Sequence, residues 1–121
     1  MPHLFAFEKL QVWQEARSLL VKIYQATNSY PRSEVYGIIS QMRRAALSIS
    51  SNLAEGSGRT SKKDQAHFYQ ISYSSALELL NQLILSLDLE YIKEQQYNEV
   101  RPLIESITNK TNSLRNKNLG E

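Results

Sequence analysis

The stretch GSGRTSKK at positions 56–63 has the composition of a phosphate cradle. Glycine lets backbone N–H groups approach an anion, and lysine adds charge. A true cradle needs a preceding strand and the spacing G-x-x-x-x-G-K-[ST], and this segment has neither. It reads instead as a turn between two helices, its glycines ending one and Ser61 capping the next. Arg43, Arg44, Arg59, Lys62 and Lys63 are expected in or near one helix end and this turn. On a single protomer such charge is simply solvated. Repeated around a ring, it becomes a phosphate-binding surface. Tyr36, Tyr69 and Tyr73 offer stacking faces for bases, although tyrosine at helical spacing reads first as core.

Acid–base and metal chemistry find less support. Asp64 and His67 lie three apart, so their side chains meet on a helix, but one such pair supplies too few metal ligands and no nucleophile. His3 sits in a loose terminus, and the absence of cysteine excludes disulfides and thiolate sites. The expectation is a non-enzyme with no cofactor and no metal. Gln41, Arg44, Ser48, Asn52 and Glu55 step by three, four, four and three, forming a polar line along a helix. Two readings stand: an exposed polar face, or a buried network with Glu78 or Ser74 that fixes helix register.

Four amphipathic segments must position these residues, at about 8–27, 34–55, 61–90 and 93–117. In the first, Trp13, Ala16, Leu20, Ile23 and Thr27 recur at helical steps, and Tyr30-Pro31 ends it. The second is capped by Ser33, followed by Glu34. It carries the seam Val35, Ile39, Met42, Ala46, Ile49 and Leu53, and ends at a glycine in left-handed conformation. Gly37 is expected where two helices approach closely. The third carries two seams: Phe68, Ile71, Ser75, Leu79 and Gln82, then Tyr73, Leu77, Leu80, Ile84, Leu87 and Tyr91. So wide a stripe implies a helix covered on more than one side. The fourth carries Tyr97, Val100, Ile104, Ile107, Thr111 and Leu114. Pro102 predicts a kink or a start near Arg101, and 116–121 is expected to fray. With short connections, the expected fold is all-α: an antiparallel up-down-up-down four-helix bundle forming one domain over 1–121.

Composition sets outer bounds. The chain has 121 residues, 41% hydrophobic and 21% charged, the balance of one globular domain. No apolar run approaches a membrane span and no signal peptide is visible, so a cytoplasmic protein is expected. Net charge is only +2, but it is unevenly spread. Arg32, Arg43, Arg44, Arg59, Lys62 and Lys63 face only Glu34 and Glu55 in the middle of the chain. From Asp88 to Glu105 acids dominate.

Three ordered motifs now stand out: FEKLQVWQEA at 7–16, YGIISQMRRAA at 36–46, and SISSNLAEG at 48–56 followed by Arg59. Together they resemble the four-helix-bundle family encoded within intervening sequences of bacterial 23S ribosomal RNA genes, over 7–114. The resemblance implies a homopentameric ring. The chain is also similar to the accessory variability protein of diversity-generating retroelements, a basic pentameric barrel that binds nucleic acid and a reverse transcriptase. Among the motif positions are Gln41, Arg43, Arg44, Ser48, Asn52, Glu55, Gly56 and Arg59. Pro102 and the low net charge depart from that pattern. The expected function is a homo-oligomeric scaffold binding structured RNA or DNA through Arg43, Arg44, Arg59, Lys62 and Lys63. The alternative is a protein-interaction scaffold whose interface is the wide apolar face of the third helix.

Overall fold

The computed structural model describes residues 2–120 and contains four α-helices. A 3-10 turn at Ala6–Lys9 precedes α1 (Gln11–Thr27), and a second at Arg32–Glu34 precedes α2 (Ile38–Ser57). Then come α3 (Lys62–Asp88) and α4 (Glu94–Asn118). No strand occurs among the described residues, and no described helix is long and apolar enough to cross a membrane.

Each helix packs against two others: α1 on α2 and α4, and α3 on α2 and α4. The diagonal pairs do not meet. Leu19 and Ile23 of α1, Met42, Ile49 and Leu53 of α2, Leu79 and Leu83 of α3, and Ile104 and Ile107 of α4 fill the centre and are wholly buried. Burial of one such side chain is worth roughly 1.5–3 kcal/mol, so this shared core holds the helices together. The register is fixed by polar contacts within the core and beside it. Met42 on α2 meets Ser86 on α3, Ser48 meets Ser75, and the Ile49 carbonyl accepts from the buried Ser72 hydroxyl at 2.9 Å. Numbers climbing on α2 thus meet numbers falling on α3.

Several expected boundaries move. Helix α1 starts at Gln11, because the preceding residues form a separate turn closed when Glu8 accepts from the Phe5 backbone N–H. Ser33 does not cap α2; it lies inside the 3-10 turn, and α2 begins only after Gly37. Val35 accordingly falls out of the α2 seam and is exposed, while Ile39, Met42, Ala46, Ile49 and Leu53 are buried. Gly37 is not a helix crossing: a Cβ there would strike the Glu34 carboxylate of its own turn. The close approach is at Gly56, against Phe68 and Tyr69. Gly58 ends α2 with right-handed dihedrals, not left-handed ones.

Ser61 caps α3 as expected, accepting from the Asp64 N–H at 3.0 Å. The α3 seams hold only in part: Leu79 and Gln82 of the first are buried, and the second fails. The buried line is Ala66, Tyr69, Ser72, Ala76, Leu79, Gln82, Leu83 and Ser86, while Leu77 and Ile84 are exposed. Pro102 is accommodated inside a continuous α4, on its exposed side, so the helix does not start at Arg101. Helix α4 also runs on to Asn118, because Asn118 bonds Gln65 and Arg115 bonds Gln70 across to α3. The expected fraying at 116 is therefore absent; Glu121 lies outside the described residues.

Candidate nucleic-acid interface

The five basic residues expected to form one cluster occupy two places. Arg43 and Arg44 stand in the second turn of α2, whereas Arg59 follows its last turn and Lys62 and Lys63 open α3. At 1.5 Å rise per residue the two groups are about 20 Å apart along α2. Spacing along the chain concealed this, because most of a 20-residue helix lies between them.

Arg43 is half-buried and committed to α1. Its Nε donates to the Thr27 hydroxyl at 3.0 Å, its Nη2 to Asn28 Oδ1 at 3.1 Å and to the Tyr24 carbonyl at 3.4 Å. The guanidinium lies 4.3 Å from the Tyr24 ring centroid. A cation at the carbonyl end of a helix is favoured by the dipole, and the ring face adds to that attraction. Arg43 is thus the C-terminal cap of α1. Arg44 is exposed and lines a polar cleft between α2 and α3 with Gln41, Ala45, Ser48, Ser75 and Glu78.

Along that cleft the polar line divides into a bonded centre and solvated ends. Its centre is a network: Ser48 and Ser75 hydroxyls lie 2.8 Å apart, and Asn52 Nδ2 donates to the Ser48 carbonyl and hydroxyl at 2.8 and 3.1 Å. Its ends are solvated. Gln41, Arg44, Glu55 and Glu78 are exposed, and Glu55 pairs with Arg59 at 3.0 Å. Ser74 bonds Gln70 on its own helix and takes no part.

Around the other end, charge gathers. Arg59 pairs with Glu55 and stacks 4.5 Å from the Phe68 ring centroid. Lys62 and Lys63 are exposed on the first turn of α3. Arg115 and Lys117, from the last turn of α4, arrive at this end because the α3 start and the α4 end are bonded together. These two had no place in the sequence reading, which weighed only neighbours along the chain. Of the expected stacking tyrosines, Tyr36 is 94% exposed in the loop at the opposite end. Tyr69 is buried against Gly56, and Tyr73 lies under Arg115. Asp64 and His67 are exposed, and no three His, Asp or Glu residues among the described ones converge to hold a metal ion.

The sequence reading also missed a polar seam between α1 and α4. The Glu15 carboxylate, largely buried, accepts from the Ser106 hydroxyl at 2.6 Å and forms an ion pair with Lys110. Glu15 belongs to the first motif, so part of that motif serves packing.

Comparison with known proteins places this arrangement. No curated protein matches the chain. Among solved structures it is similar to the crystal structure of a protein with unknown function from the S23 ribosomal protein family of Bacteroides thetaiotaomicron VPI-5482. That alignment has a TM-score of 0.77 at 22% identity and covers 86% of this chain and 97% of the other. At such identity the likeness establishes the fold alone. The family model for the 23S rRNA-intervening sequence protein matches residues 8–113, nearly the whole of α1 to α4, and the chain therefore belongs to that family.

Proposed function

We propose that this protein is a non-enzymatic, cytoplasmic RNA- or DNA-binding scaffold, a homopentameric ring of antiparallel four-helix bundles. In this reading phosphates are contacted from the end bearing Arg59, Lys62 and Lys63. The observation that carries it is the pair Lys62 and Lys63, exposed on the first turn of the 27-residue α3, where the helix dipole is positive and the Arg59 guanidinium stands close by. The antiparallel arrangement is supported by the falling register of α3 contacts along α2. A ring is supported by the family resemblance, and by Leu47, Leu77, Ile84 and Leu85, which are more than a third exposed and gain by burial between copies. Arg43 is set aside from phosphate contact, since three of its five N–H groups are directed at α1. Arg44 is available through its cleft.

The test is a titration of fluorescent structured RNA and DNA at several salt concentrations, with mass in solution measured on the same sample. Binding that weakens steeply with salt, by a particle several times 13.9 kDa, is expected. A monomer, or no binding at low salt, overturns the reading.

A further inference from the structure

Arg115 differs from the other arginines at this end in what holds it. Its Nη2 donates to Asn112 Oδ1 at 2.8 Å and to Asn116 Oδ1 at 3.0 Å, its Nε also reaches Asn116 Oδ1 at 3.2 Å, and its Nη1 donates to Gln70 Oε1. The Tyr73 ring lies beneath, 5.9 Å from centroid to guanidinium carbon. Every acceptor is a neutral amide. Among the described residues no carboxylate pairs with Arg115, unlike Arg59 and Arg101, which pair with Glu55 and Glu105. The guanidinium is fixed in place, yet its full charge is uncompensated. Five N–H groups with four donations leave one on Nη1 unspent.

That charge faces a cleft between the start of α3 and the end of α4, lined by Lys63, Ala66, His67, Gln70, Arg115 and Leu119. Lys63 brings a mobile ammonium and His67 a ring nitrogen. The His67 ring is braced edge-on against Phe68 at 5.4 Å. Asp64 is the carboxylate nearest in sequence, but it does not line the cleft. Three basic side chains, Lys63, His67 and Arg115, thus line one open cleft from two helices, with Ala66 and Leu119 as apolar walls.

We propose that this cleft binds a phosphomonoester dianion, the terminal phosphate of a nucleic-acid strand. The proposal rests on the nucleic-acid reading above and sharpens it. A backbone diester carries one negative charge and two free oxygens. A terminal phosphate carries nearly two charges and three acceptor oxygens, matching a fixed guanidinium, an ammonium and an imidazole donor. Fixing Arg115 beforehand removes the ordering cost that a loose arginine incurs on binding.

Two measurements separate this site from the general reading. Inorganic phosphate, titrated into protein with labelled side chains, should shift the Arg115 Nε–H and His67 ring resonances saturably; no shift overturns the site whether or not RNA binds. A 5′-phosphorylated oligoribonucleotide should bind roughly five- to tenfold tighter than its 5′-hydroxyl twin at equal salt. Arg115→Lys should erase most of that preference and leave the 5′-hydroxyl affinity nearly intact, whereas Lys63→Gln should erase the preference and also weaken both twins, because Lys63 belongs to the general phosphate surface as well. Equal affinities of the twins, or a preference surviving both substitutions, overturn the terminal-phosphate assignment while the salt-dependent binding of the twins still reports on the general reading. Phosphate shifts without any RNA binding keep the anion site and overturn its nucleic-acid occupant.

Discussion

Gly56 of α2 lies so close to Tyr69 of α3 that a Cβ on it would stand 2.9 Å from Tyr69 Cε1 and 3.0 Å from Phe68 Cβ. The helices are held together beside this point, since Ser72 and Ser75 fix α3 to α2 one to two turns further along. Alanine is the better helix former by about 1 kcal/mol, yet the clash with a buried ring exceeds that. Gly56→Ala is expected to destabilise the fold by roughly 1–3 kcal/mol. Chemical unfolding checks it, and Tyr69→Leu in the Gly56→Ala background should recover part of the loss by vacating the ring edge.

Arg43 supplies a second stability prediction, and one that separates cap from nucleic-acid contact. Arg43→Ala leaves the buried Thr27 hydroxyl with its own donation to the Ile23 carbonyl but removes the donors to Thr27, Asn28 and Tyr24. The expected loss is about 1–2 kcal/mol. Arg43→Lys should recover little, because a point charge cannot reproduce three directed N–H donors. Nucleic-acid affinity of the folded variant should stay within about twofold of the parent, by the affinity arithmetic of an uninvolved residue. A large loss of affinity at unchanged stability would return Arg43 to the phosphate surface.

At the other end of α3, Glu90 adopts φ of 60°, and its neighbour Tyr91 donates to the Ser86 carbonyl at 2.9 Å while Glu90 donates to Leu87 at 3.0 Å. These two bonds form the wrapped helix end that usually places glycine at the left-handed residue. A side chain there costs roughly 1–2 kcal/mol, and glycine gives back part of that gain through its larger unfolded-state entropy. Glu90→Gly is therefore expected to raise stability by about 0.5–1 kcal/mol, read as a higher midpoint in denaturant with unchanged slope.

These two helix ends show what the sequence could and could not convey. The core faces of α1, α2 and α4 were legible because Ala16, Ile23, Met42, Ile49, Ile104 and Ile107 repeat at helical spacing and are all buried. The face of α3 was legible only at Leu79 and Gln82. Its buried line contains Ser72, Gln82 and Ser86, whose polar atoms bond helical carbonyls or lie against neighbours, while Leu77, Leu85 and Ile84 point outward. Hydrophobicity and burial part company there, and a pattern built on the first misplaces the second. The site suffered for a related reason. Arg43 finds its partners 15 to 19 residues earlier, and Arg115 finds Gln70 45 residues earlier. A basic residue next to another in sequence is weak evidence of proximity once long helices intervene.

Three tyrosines give the protein an alkaline limit. Burial raises the Tyr30 hydroxyl pKa, opposed by Ser86, and burial raises Tyr69; Tyr91 is raised chiefly because its proton is donated to Glu34 at 2.8 Å. A phenol whose folded pKa exceeds its unfolded value near 10 keeps its proton in the native state while the unfolded chain loses it. Stability is then intact below pH 10 and falls as pH rises through the native values. Denaturant midpoints measured from pH 8 to 11 should drop above 10, and Tyr91→Phe should flatten that drop by removing one of the three contributions. A midpoint flat to pH 11 contradicts the assignment.

Lys62 and Lys63 test the location of the nucleic-acid surface. For a binding event that neutralises phosphates, log affinity falls linearly with log salt, and each lost contact lowers the slope by about 0.7–0.9. Both side chains are exposed and neither forms an ion pair among the described residues, so glutamine at these positions leaves folding untouched. The Lys62→Gln, Lys63→Gln double variant should therefore bind more weakly and with a shallower salt dependence on RNA and DNA of any sequence. Arg44→Gln, in the α2–α3 cleft about 20 Å away, provides the contrast. If it flattens the salt dependence and the lysine pair does not, the binding surface runs along the α2–α3 cleft instead of the end where α3 begins.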